Sequence, residues 1–173
     1  MLLAQILFLP LAALLAADAP AKPAAPAAAA GPSAYATPIG MGISVDLAKK
    51  VAAAAAAEAK KNGWFMAIAV VDPGGTLIYY EKADNTQMGS AVVAIEKAKS
   101  AALYKRPTNA FQDGLAKGAE NWRILTLAGA IAVEGGVPLM MDGKLVGALG
   151  VSGDLSEHDN QCATAGAASL SAK

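Results

Sequence analysis

The segment VPLMMDGKLVGALGV, residues 137–151, constrains this chain more than any other part of it. Two apolar runs, Val137–Met141 and Lys144–Val151, are separated only by Asp142-Gly143. A type I′ turn needs positive φ at both central residues, and Asp-Gly supplies it at little cost, so the runs are expected to fold back as an antiparallel hairpin. The stretch WFMAIAVVDPGGTLIYYEK repeats the design, with β-rich runs Trp64–Val71 and Thr76–Lys82 on either side of Asp-Pro-Gly-Gly. Asp72 and Asp142 therefore belong to turns, where a carboxylate bonds local backbone, and are not a pair for acid–base work.

Helical patterns lie around and between the hairpins. Ser44 can cap an Ala-rich helix running to Lys61 and stopped by Asn62-Gly63. In Ser90–Tyr104 the residues Val92, Ile95, Ala98, Ala102 and Leu103 recur near helical spacing, and Pro107 fixes the end. Residues 109–128 predict one or two short helices, Ile131–Val133 the start of a strand, and Ser156 opens a closing helix to about Leu170. Strands arriving as hairpins give an antiparallel sheet, and helices packed on it give a single-domain α+β sandwich, not a parallel doubly wound fold.

The first residues read differently. Leu2 to about Ala17 is an apolar run too short for a membrane span but suited to the core of a signal peptide, although no Lys or Arg precedes it. Cleavage after Ala21 fits the small-x-small rule, so residues 1–21 are expected to be a signal peptide and the protein to be periplasmic or secreted. Residues 22–38, almost entirely Ala and Pro, are expected to be a tether, leaving 39–173 as the domain.

Composition removes some functions. With 14 basic and 14 acidic residues and only 5% aromatics, the chain has neither the basic footprint nor the stacking platform of a nucleic-acid binder. Its one cysteine, Cys162, cannot form an internal disulfide and is expected to be a small buried residue. Gly74-Gly75 and Gly135-Gly136 match no phosphate-binding loop. Gly150-Val151-Ser152-Gly153 lacks the spacing of a nucleophile elbow and reads as a strand-to-helix loop. Glu134-Gly135-Gly136-Val137-Pro138 does allow close backbone approach, so a ligand edge could lie there.

His158 is the only histidine, four residues before Cys162 and hence on the same helix face. Ser156-Glu157-His158-Asp159 has the form of a capping box, with the Ser156 hydroxyl accepting from the Asp159 N–H. The helix dipole favours a neutral imidazole there, the form that binds metal. One histidine and one cysteine cannot close a zinc site, whereas haem iron needs only one or two axial ligands. His158 is thus either a solvent-facing helix residue or a metal ligand.

Read together, VVDPGGTLIYYEKADN, EKAKSAALYKRPT and GGVPLMMDGKLVGALGVSGDLSEHDNQCATAG resemble the GlcG/HbpS-type haem-binding (haem-degrading) family, which includes the PduO C-terminal domain. The resemblance spans Ile39 to Leu170 and implies the same α+β sandwich, assembled into homo-oligomers from dimer to octamer. It also implies haem as cofactor and, for extracellular members, a membrane sensor as partner. A threonine near the Arg-Pro-Thr segment is a haem contact in the family, which makes Thr108 the first candidate and Ser100, standing where threonine is usual, the second. Arg106 and Lys97 would pair with the propionates, beside Gly135-Gly136. The family more often has Glu or Gln at the position of His158, so a His158–metal contact would be private to this chain. No catalytic residue stands out. Two other readings remain: a small organic-acid enzyme or accessory with Arg106 as carboxylate clamp, and a signalling module with the Ala/Pro segment as spacer.

Overall fold

The computed structural model describes residues 33–171, so the expected signal peptide and the first part of the tether lie outside the described residues. Both hairpins form. Strands β1 (Ala67–Val71) and β2 (Leu77–Lys82) make the first, β3 (Gly136–Met141) and β4 (Lys144–Ser152) the second. They join into one antiparallel sheet of order β2-β1-β4-β3 through the pairing of β1 with β4. Asp142 and Gly143 have φ of 48° and 72°, both positive as a type I′ turn requires. In the first turn the Asp72 carboxylate accepts from the backbone N–H groups of Gly74 and Thr76 at 2.9 and 2.8 Å.

Helices cover both faces. Helix α1 (Val45–Asn62) starts at the Ser44 cap, whose hydroxyl accepts from Leu47 N–H at 3.3 Å, and ends at Gly63 with φ of 76°. With α4 (Ser156–Ala168) it packs on one face, where Ile68, Val70, Leu139, Leu149 and Val151 meet Val51, Ala55, Cys162 and Ala163. Helix α2 (Met88–Tyr104) covers the other, its Ala94, Ala98, Ala101 and Ala102 lying on Ala67, Ala69, Val71 and Ala148. Strand alternation explains the division: in β1 the even-numbered residues face α1 and the odd-numbered ones face α2. The α2 interface is made of small residues because the backbones approach closely. A Cβ on Gly150 would collide with the Ala94 carbonyl and lie 2.5 Å from the Ala98 nitrogen.

Two expectations need correction. Ile131–Val133 is irregular chain, not a strand, and its Ile131 N–H donates to the Ser100 hydroxyl at 3.0 Å. The capping box does not form: Leu155 occupies the cap without a side-chain bond, and Asp159 N–H donates to the Leu155 carbonyl. The 109–128 region holds α3 (Asn109–Ala116) followed by a 3-10 helix, Ala119–Thr126. Residues 38–43 run beside the start of β4, with Leu145 N–H donating to Pro38 O and Gly40 N–H to Leu145 O. Among the described residues no helix is long and apolar enough to cross a membrane.

Candidate functional site

A buried ion pair links α2 to α4. Lys97 on α2 is 1% exposed, and its ammonium donates to Asp159 Oδ2 at 2.6 Å and to Val151 O at 3.2 Å. Asp159 belongs to α4, so the long lysine side chain ties the helix on one sheet face to the helix on the other. The crossing passes Gly135, where an added Cβ would lie 2.7 Å from Val151 O, 2.9 Å from Asp159 Cβ and 3.0 Å from Lys97 Nζ. Gly135 also needs its φ of 115°, which side-chain-bearing residues rarely adopt. Burial pushes the Asp159 carboxyl above its ordinary value, opposed by the Lys97 ammonium and the backbone N–H groups of Asp154 and Gly153.

Thr108 and Gly136 form the second part of this node. Gly136 N–H donates to the Thr108 hydroxyl at 2.9 Å, and Thr108 N–H returns a bond to Gly136 O at 2.9 Å. A Cβ on Gly136 would strike the Lys97 carbonyl and Thr108 Cγ2. Thr108 and Ser100 are fully buried. The structure thus brings five of the expected residues together in the interior. Lys97 pairs with Asp159, and Thr108, Ser100, Gly135 and Gly136 bond or touch the protein's own atoms.

His158 lies elsewhere. Its ring stacks on Trp64 with centroids 3.9 Å apart and planes 11° from parallel. Nδ1 is 3.5 Å from Asp154 Oδ1. Cys162, one turn on, is buried, and burial pushes its thiol up to about 12. No group of three His, Cys, Asp or Glu that could hold a metal occurs among the described residues.

Of the expected contacts, Arg106 lines an open cleft, of about 340 Å³. Its walls come from the C-terminal end of α2, from α3 and the following 3-10 helix, and from Tyr35. Three aromatic rings (Tyr35, Tyr104 and Phe111) and three cations (Arg106, Lys117 and Arg123) line it, with no Asp or Glu. Arg106 Nε donates to Tyr104 O at 3.3 Å, and its Cζ lies 4.7 Å from the Tyr35 ring centre and 5.3 Å from that of Phe111. The guanidinium is therefore held between two rings, and among the described residues no carboxylate pairs with it. A larger cleft of about 480 Å³ beside Trp64, Phe65 and Met66 is mainly apolar, and Glu81 stands there with Lys60 and Lys82. It contains none of the expected residues.

Residues 43–168 match the family described as haem degrading protein HbpS-like. The chain belongs to the HbpS-like family. It is 37% identical to Escherichia coli K12 protein GlcG over 110 residues, 64% of this chain and 81% of that one. The fold superposes on a double mutant of Streptomyces reticuli HbpS with a TM-score of 0.70 at 31% identity, covering 85% of this chain and 97% of that one. The PduOC:heme complex gives a TM-score of 0.68 at 25% identity, covering 75% and 95%. Lys97, Arg106, Thr108, Gly136 and Asp159 all lie within the part matched by the HbpS-like family, and Tyr35 lies before it. Tyr35, Lys117 and Arg123 escape a sequence reading because no spacing links them. Asp159 escapes it because its place in a capping pattern gives a sufficient local reason for the residue.

Proposed function

We propose that this protein binds haem or a closely related tetrapyrrole in the Arg106 cleft. The observation that carries this reading is the pairing of three cations with three aromatic rings in a cleft without carboxylates. A tetrapyrrole is a flat apolar ring bearing two carboxylates. Tyr35, Tyr104 and Phe111 suit the ring, and Arg106, Lys117 and Arg123 suit the propionates through charge-assisted bonds. The similarity to a protein crystallised with haem supports the same ligand. Bound haem would supply redox-active iron, while the chain's own residues fix its edge and orientation. Titrating the purified protein with haemin tests this: a saturable Soret shift is expected, and its absence at micromolar protein refutes the reading.

The cleft's lack of carboxylates also favours a second ligand class, small organic acids clamped by Arg106. A ligand that binds only the folded state raises its melting temperature. A panel of glycolate-like acids that leaves the melting temperature unmoved removes this alternative.

Export and assembly belong to the same proposal. The apolar run followed by small residues supports cleavage after Ala21, and mass spectrometry of the expressed protein should find a mature chain beginning at Lys22. Met88, Val92 and Leu103 form an exposed apolar stripe on α2, which supports self-association. Light scattering on Val92→Glu should show a smaller particle than on the parent. A membrane sensor fits as partner, the Ala/Pro segment acting as spacer. Deleting residues 22–32 should then abolish signalling and leave haemin binding intact.

A further inference from the structure

Tyr35 is held in place although it precedes the family domain. Lys105 caps the C-terminus of α2 in a left-handed conformation, φ 52°, and its ammonium donates to Tyr35 O at 2.9 Å and Thr37 O at 3.0 Å. The Tyr35 ring is pinned under Arg106 yet the residue stays 72% exposed, so its hydroxyl is accessible at the cleft mouth. The other oxygens and nitrogens considered for iron are already committed or elsewhere. Tyr104 donates its hydroxyl to Ala128 O at 2.7 Å, Thr108 and Ser100 are buried acceptors, and His158 is stacked on Trp64 and does not line the cleft.

We infer that Tyr35 is the iron ligand of this protein, a phenolate delivered to the Arg106 cleft by the segment preceding the family domain. The inference rests on the tetrapyrrole reading above and adds the ligand atom to it. Tyrosine is an established axial ligand of ferric haem, and a neighbouring cation favours its ionised form. Here the Arg106 guanidinium over the ring and, to a lesser degree, the Arg123 charge hold the phenol below its ordinary value. Tyr35 would supply an anionic oxygen to ferric haem, its O–H proton passing to solvent. No electron moves, so no oxidant or reductant is required. The segment that carries Tyr35, the last part of the expected tether, thereby becomes part of the binding site.

The test uses haemin and the full chain, with Tyr35→Phe, Tyr35→His and His158→Ala beside the parent. The parent complex should show a phenolate-to-iron charge-transfer band and, on excitation within it, phenolate modes in the resonance Raman spectrum. Tyr35→Phe preserves the ring under Arg106 and should abolish both, with affinity falling on the order of tenfold or more. Tyr35→His should restore tight binding with a nitrogen-ligated spectrum, and His158→Ala should match the parent. A Tyr35→Phe complex spectrally identical to the parent, or loss of the signature in His158→Ala, overturns the assignment of the ligand while leaving haem binding standing. Absence of saturable binding in the parent overturns both.

Discussion

Lys97 and Asp159, 62 residues apart in sequence, meet at 2.6 Å with side chains only 1% and 3% exposed. The pair joins α2 to α4 across the end of the sheet, and Gly135, Val151 and Thr108 are arranged around it. Removing one partner strands a buried charge, so Asp159→Asn or Lys97→Met should each cost about 3–5 kcal/mol. Replacing both, Lys97→Met with Asp159→Leu, should recover most of that loss because two desolvated charges disappear together. Guanidinium unfolding of the four proteins checks this. A double variant as unstable as either single would show that the charges contribute more than mutual neutralisation.

Gly150 stands opposite both Ala69 and Gly136 in the sheet and directly beneath α2. Gly150→Ala drives a Cβ into the Ala94 carbonyl, a contact with helix backbone that cannot rotate away. Overpacking of this kind costs about 1–3 kcal/mol, and a backbone obstacle places it at the upper end. Gly89→Ala, inside α2 with open space around it, should stabilise slightly by helix propensity, by up to ~1 kcal/mol. Thermal melts of the two variants should therefore move in opposite directions.

Most of this fold can be read from the chain, and the reason is local. Asp142-Gly143 and Asp-Pro-Gly-Gly carry turn geometry within a few residues, and Ser44 and Gly63 mark the two ends of α1 in the same way. The failures are equally physical. The segment Ile131–Val133 has apolar residues suited to a strand but pairs with none of the four strands, and its Ile131 N–H is taken by the Ser100 hydroxyl of α2, a contact outside any local window. Ser156 to Asp159 fits a capping box, yet Asp159 gains more by meeting Lys97, a contact that no window of a few residues contains. The same limit applies to the site: Lys97, Ser100, Thr108, Gly135 and Gly136 are recognisable as special positions, but only the packing shows that they serve the interior. Arg106 was singled out by its sequence segment, whereas Tyr35 and Arg123 join it in one cleft solely through the fold.

Cys162 gives a test of burial that needs no ligand. Desolvation comes first, and the charges of Glu58 and Asp159 add to it, in raising the thiol from 9.0 to about 12. A thiol raised on folding contributes stability in full below its unfolded value of 9.0, and loses it as pH climbs toward about 12. The native protein at pH ~8 should therefore be inert to disulfide reagents, since the thiolate is the nucleophile. Reaction should appear only with unfolding in denaturant. Rapid labelling of the native protein would mean that the α1–α4 interface opens freely.

Arg106 and Arg123 should dominate recognition of a dianionic ring. Each faces an open cleft, so solvent screens part of its attraction, and Arg106→Gln or Arg123→Gln should weaken haemin binding by roughly tenfold. Arg106→Lys should behave like the glutamine variant, because an ammonium neither stacks between Tyr35 and Phe111 nor offers a planar fork to a carboxylate. Raising the salt concentration should weaken parent binding more than that of the doubly substituted protein, since the screened charges are then absent. The apolar cleft at Phe65 supplies the opposing measurement. If Phe65→Ala lowers haemin affinity and the arginine variants do not, the tetrapyrrole sits beside Trp64 and the Arg106 cleft serves another anion.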